Sequence, residues 1–272
     1  MSGAALESRF AGQNPYSLMG VELPRANGEP YRMRAGAWTR DADGHVSMAA
    51  LGALWEHAVA GAAARGAAAL TEGPLNAVAT HLTFQVTPGT VPEGDLRVES
   101  ALVDARGSTG LGSGTAFDAR GVRIAVGTAS IQFVPRPADP DFHVRTADPS
   151  PVDASIDEIL DLQIDETAMG TRAVAQAGPW LTNSMAALHG SFVTAMLERA
   201  AHRTVGGRPW VLSSLDLHFL RPADVAGSLV IESDRAHRGR TRALVSSRMI
   251  RDDGKLAAVA TMAYRRPPTT DQ

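Results

Sequence analysis

From Met48 to Leu70 the chain is Ala-rich and proline-free, with Leu51, Leu54, Ala58 and Ala62 at helical spacing, which predicts a long helix. Phe192 to Thr204 repeats the pattern: Phe192, Met196 and Ala200 form one row, Val193 and Leu197 another. Each helix is followed by four stretches of strand character. In the first half these are Val78–Val86, Leu96–Ala105, Gly110–Asp118 and Arg123–Val134; in the second, Val211–Leu220, Leu229–Ala236, Arg242–Ile250 and Leu256–Arg265. Turn signals separate them at Arg106-Gly107, at 118–121, at Arg238-Gly239 and at 252–254. A short strand before each helix (Tyr31–Trp38 and Arg172–Ala177) completes a unit. One helix followed by an antiparallel meander predicts an α+β unit whose helix covers one sheet face.

The units are related in sequence. Leu82–Pro88 resembles Asp216–Pro222, Gly94–Ser100 resembles Gly227–Ser233, and Gly121–Thr128 resembles Gly254–Thr261. The offset is 134 residues at the first match and 133 at the other two. A register held this well predicts one duplicated unit. The expected organisation is a first unit over 1–135, a Pro- and Asp-rich connector over 136–171, a second unit over 172–266 and a polar tail over 267–272. The connector carries one short acidic amphipathic piece, Ile156 to Ile164. A lone unit would expose a strand edge and one helix face, so the two are expected to join their sheets edge to edge around roughly antiparallel helices.

Composition narrows the function. The 272 residues are 44% hydrophobic and carry a net charge of −3, so no basic field recruits nucleic acid or anionic lipid. No run reaches the length of a membrane span. Met1 to Asn14 has no apolar core segment, so no signal peptide is read there, and a cytoplasmic location is expected. With no cysteine, disulfides, thiol nucleophiles and thiolate-held metals are excluded.

The sharpest motif is Asn183, six residues before His189-Gly190-Ser191, with Glu198 nine residues past the histidine. This resembles the PaaI-like branch of the hotdog thioesterases, with Ser191 where that signature has a second glycine. The resemblance implies a tandem, double hotdog and hydrolysis of acyl-CoA thioesters without metal or organic cofactor. It implies catalytic roles for Asn183, Gly190 and a helix carboxylate, Glu198 or Glu56, with His189 and Ser191 at the substrate. The physical chemistry agrees: a glycine amide at a helix N-terminus is an unpaired donor at the positive end of the dipole, suited to an oxyanion. A carboxylate two turns into one helix can face the next unit's N-terminus and serve as nucleophile or general base. The plain alternative for His189-Gly190 is a helix N-cap with a packed histidine.

Aligning Glu56 with Glu198 puts Asp41, Ser47 and Met48 at the Asn, His and Gly places of the first unit, so only the carboxylate persists there. In single-copy relatives the glycine and the carboxylate of one site come from opposite subunits. The working site is therefore expected to be Asn183, Gly190 and Glu56, leaving Glu198 vestigial. The alternatives keep Glu198 catalytic, or make Glu56 a solvent-facing or Arg-paired side chain. Ser214 is a weaker candidate for substrate contact. Arg238 and Arg240 are candidates for coenzyme A phosphates, against plain solvated surface. Gly110–Gly114 matches no phosphate loop and is read as strand, and without a G-x-S-x-G elbow an α/β-hydrolase is unlikely. The competing readings are an acyl-CoA-binding protein without turnover and a hotdog hydratase, whose Asp-x4-His pair is missing. Assembly beyond the fused pair is left open.

Overall fold

The computed structural model describes residue 10 and residues 13–26, 28–40, 46–68, 75–135, 153–225 and 227–266. The elements in chain order are α1 (Pro15–Leu18), β1 (Val21–Glu22), β2 (Tyr31–Met33), α2 (Met48–Ala68), β3 (Leu75–Val86), β4 (Leu96–Arg106), β5 (Thr109–Phe117) and β6 (Arg123–Pro135). There follow α3 (Ile156–Leu160), β7 (Gln163–Glu166), β8 (Gly170–Gln176), α4 (Gly190–Thr204), β9 (Val211–Phe219), β10 (Ser228–Arg238), β11 (Arg242–Ile250) and β12 (Leu256–Arg265).

All twelve strands form one sheet in the order β1-β2-β4-β5-β6-β3-β9-β12-β11-β10-β8-β7. The halves meet at β3 and β9, which pair antiparallel from His81 opposite His218 to Gln85 opposite Ser214. This is the expected edge-to-edge union. Its physical cause is that β3 and β9 satisfy each other's backbone groups and leave only short strands, β1 and β7, at the outer edges. Leu82, Phe84, Leu215 and Leu217 turn inward at the seam and are buried.

Helix α2 is buried on every side from Met48 to Ala60, and that stretch is apolar apart from Glu56 and His57. Its residues Ala49 to Val59 are buried between the sheet and α4. The glycines of β5 let it come close: a Cβ at Gly112 would lie 2.7 Å from Val59, and one at Gly114 would lie 2.8 Å from Val59 and 3.3 Å from Trp55. The glycine run 110–114 is thus strand, shaped for helix packing.

The two helices run antiparallel. Gly190 abuts Glu56, and one turn on in each a Cβ at Gly52 would meet Thr194 Cγ2 at 3.0 Å. The same register carried one turn further sets Glu198 level with Met48. The approaches to the helices also match: Ser47 N–H donates to Thr39 O at 2.7 Å, as His189 N–H donates to Leu181 O at 2.8 Å, both pairs 142 residues apart.

Three local features differ from expectation. The strand read over Tyr31–Trp38 stops at Met33 and gives way to a 3-10 turn, Ala37–Thr39, that steers the chain into α2. The acidic piece Ile156–Ile164 is the helix α3, capped by Ser155 and ended by left-handed Asp161, followed by the edge strand β7 within the stretch read as connector. It is held down by Asp157, whose carboxylate takes two 2.7 Å hydrogen bonds from the Arg199 guanidinium of α4. Finally, α1 and β1 were not foreseen. The rest of the connector, over 136–152, the tail over 267–272 and Asp41 lie outside the described residues.

Candidate active site

His189 sits in extended backbone at the N-cap of α4, and its Nδ1 accepts a 3.1 Å hydrogen bond from Ser191 N–H. The plain N-cap alternative is therefore part of the answer. Phe192 and Val193 N–H donate to His189 O at 2.9 and 3.2 Å, which leaves Gly190 N–H as the donor of this turn without an acceptor among the described residues. Gly190 itself is half-buried, between the buried His189 and Ser191.

Directly beside it stands Glu56 of the other half. A Cβ at position 190 would lie 2.5 Å from Glu56 Oε1 and 2.8 Å from its Cδ, so only glycine permits this approach. Glu56 is 5% exposed, neither solvent-facing nor paired with an arginine. Burial raises its carboxyl to about 7, against a smaller lowering by the Ser191 hydroxyl.

Ser191 Oγ lies 2.8 Å from Ala53 O and 2.9 Å from Glu56 Oε2. A hydroxyl has one proton to give. When Ser191 donates to Ala53, Oε2 must hold a proton and donate to Oγ; when Glu56 is ionised, Ser191 can turn its proton to it. Ser191, expected at the substrate, is fully buried, and its hydroxyl contacts the Glu56 carboxyl.

His189 Nδ1 also comes within 3.7 Å of Glu56 Oε2, but this is not an ion pair. Nδ1 is already an acceptor for Ser191 N–H, and burial pushes His189 down to about 4, so the ring is neutral with its proton on Nε2. His57 is neutral too, held well below its usual value by burial and then by His189 and Arg65. The His57 ring packs 5.4 Å from that of His189, 4.6 Å from Tyr16 and 5.3 Å from Tyr31. His57 Nε2 is buried without a partner among the described residues. His57 thus joins Tyr16, Tyr31 and His189 in one cluster of rings, and His189 brings that cluster to the Glu56 carboxyl. Sequence reasoning missed His57, Tyr16 and Tyr31; the adjacency of His57 to Glu56 was the available signal.

The other predicted residues fall elsewhere. Asn183 Oδ1 accepts from Met185 and Ala187 N–H at 2.9 and 3.2 Å, so it shapes the loop leading to His189. Glu198 is 2% exposed; Tyr264 Oη donates to its Oε1 at 3.4 Å, while Oε2 has no partner among the described residues. Burial raises its carboxyl as well, but the residue at the glycine place of its site is Met48. Ser214 is on the outer sheet face with Asp216 and His218, away from the helices, because a register shift opposite Ala263/Tyr264 turns it from the side of Leu212. Arg238 and Arg240 are exposed in the β10–β11 hairpin, with Arg238 5.8 Å over the Trp210 ring beyond the C-terminal end of α4. That is the far end of the helix from Gly190, so neither touches the Glu56 site.

This architecture is a double hotdog. Over residues 177–265 the chain matches the family model described as acyl-CoA thioesterase N-terminal domain. Among solved structures it is similar to an acyl-CoA thioesterase II TesB2 from Mycobacterium marinum, with 13% identity and a TM-score of 0.64, covering 95% of this chain and 99% of that one. A tesB protein from Mycobacterium avium subspecies paratuberculosis gives 14% identity and 0.61, covering 93% and 98%. A 12:0-ACP thioesterase from Umbellularia californica gives 12% and 0.60, covering 87% and 93%. A search of the curated proteins finds no match. The fold is the double hotdog that the resemblance implied, and the match to the acyl-CoA thioesterase family model lies within the second half of the chain. No described helix is long and apolar enough to cross a membrane.

Proposed function

We propose that this chain hydrolyses acyl-CoA thioesters at a single site built across its two halves. The observation that carries this is the contact between Gly190 and Glu56. An unengaged helix-N-terminal amide and a buried carboxyl meet there, and they come from opposite halves. The thioester carbonyl oxygen accepts from Gly190 N–H, which strengthens its hold as the oxygen gains negative charge. Glu56 as carboxylate takes a proton from water, and the water oxygen attacks the carbonyl carbon. The C–S bond then breaks, and the proton held by Glu56 passes to the departing thiolate, leaving free acid, thiol and ionised Glu56.

Asn183 and His189 are positioning residues in this scheme. Asn183 folds the loop and His189 caps the turn that presents Gly190. The scheme needs no metal or organic cofactor. Glu198, lacking a facing glycine, has no part in it. A panel of short, long and aromatic acyl-CoA thioesters, read by release of free thiol, tests the proposal. Turnover of at least one member by the wild type, with Glu56→Gln at least 100-fold slower, is expected. Tight binding of acyl-CoA with no turnover of any member would identify a binding protein instead.

A further inference from the structure

On the outer sheet face, opposite the helices, the seam between the halves gathers three groups that the hydrolytic site does not use. His81 and His218 are directly paired across β3 and β9, and Asp216 precedes His218 by two residues on the same face. The imidazoles stack with centroids 4.2 Å apart and planes 10° from parallel. Nε2 of His81 and Nε2 of His218 lie 3.3 and 3.4 Å from the same oxygen, Asp216 Oδ1. All three ligand atoms fall within 4.8 Å of one another.

We infer that His81, His218 and Asp216 form a site for a borderline divalent cation such as Zn²⁺, bridging the two halves. The spacing supports it. Ligands about 2.0–2.1 Å from a tetrahedral zinc stand about 3.4 Å from each other, which is the separation of each imidazole nitrogen from Asp216 Oδ1. Without an ion, His81 Nε2 is also within hydrogen-bond distance of Asp216 Oδ1, at 3.3 Å, a contact that a bound cation would replace. The donor set, two imidazoles and one carboxylate, suits zinc, and neither exposed side chain must leave a packed core to rotate onto it. Asp216 and His218 also line an open cleft on this face, so water can take the fourth position. Because His81 belongs to one half and the other two ligands to its neighbour, the ion clips the β3–β9 seam.

The test is titration of chelator-treated protein with zinc chloride by calorimetry. One site of about micromolar affinity is expected, with His81→Ala, His218→Ala and Asp216→Asn each weakening it at least tenfold. Co²⁺ in the same site should give the visible bands of a four-coordinate ion. Zinc at a hundredfold excess over its dissociation constant should raise the wild-type Tm and leave that of the variants unchanged. No zinc binding by the wild type, or unchanged affinity in all three variants, overturns the proposal. Equal zinc-induced Tm gains in wild type and variants also overturn it. The three positions lie on the opposite face from Glu56, so thioester turnover by the metal-free variants serves as the folding control.

Discussion

Gly190 and Glu56 are in contact across the two halves of the chain, with no room between them for a single methyl group: a Cβ on Gly190 would sit 2.5 Å from Glu56 Oε1. Gly190→Ala should therefore push the carboxyl from its place while keeping the helix, since alanine is the best helix former. Expected is a loss of about 10²–10³ in kcat, the scale of an impaired oxyanion hole, with Tm lowered by only a few degrees. Steady-state kinetics beside a thermal melt separate the two effects. Near-normal turnover in Gly190→Ala would remove the glycine from the chemistry.

The two buried glutamates should behave differently. Glu56→Gln is expected to slow the chemical step on a saturating thioester by two orders of magnitude or more. Glu198→Gln should stay within about threefold of wild type, because the position equivalent to Gly190 in its half-site is Met48, with no glycine for a thioester carbonyl to approach. The reverse ranking would sink the cross-half site, and comparable losses would mean two working sites.

The pH profile follows from the direction of the Glu56 shift. A general base must be ionised, so kcat/KM should rise with pH through an apparent pKa of about 7. The same shift bears on stability with the opposite sign. Below about pH 4.5 the carboxyl is protonated whether the chain is folded or not, and no term arises. Between about 4.5 and 7 the unfolded chain ionises and the folded one resists, so stability falls as pH rises, by on the order of 3 kcal/mol in all. Glu56→Gln should flatten that part of the stability curve in denaturant titrations; an unaltered slope would place the Glu56 pKa near its ordinary value.

Ser191 gives a third handle. Its hydroxyl holds the Glu56 carboxyl down, so Ser191→Ala should move the acid limb of the rate profile to higher pH and lower the rate most at pH 6. A merely structural role for Ser191 would lower the rate equally at all pH values. Ser191→Thr, which restores a hydroxyl, should return part of the limb.

Much of this was legible in the sequence because strand alternation and helical spacing are local. The strands of both meanders fall within a few residues of their expected bounds, and the turns at 118–121 and 252–254 are where glycine and aspartate put them. What escaped has physical reasons. Elements as short as α1 and β1 carry no period to read. Ser214 sits beyond a bulge, and one extra residue reverses which face a side chain takes. Asn183 was readable as a motif position, but an Asn oxygen can serve the backbone two residues on as well as a substrate, and only the loop's path shows which it does. The pairing of Gly190 with Glu56, by contrast, was expected, but only through the resemblance to two-subunit relatives, because the antiparallel helix register that creates it is contained in neither unit's own sequence.

Because the two halves are one polypeptide, each always meets the same partner. In a pair of identical chains, a replacement at the glycine place would strike both sites at once and be removed by selection. Here Met48 can occupy that place in one half while Gly190 remains in the other, and a single codon change spoils only one of the two. Tethering thus makes the sheet a scaffold on which the two crossings of the helices can inherit separately, so that under the proposed mechanism one is held for chemistry while the other answers to packing alone.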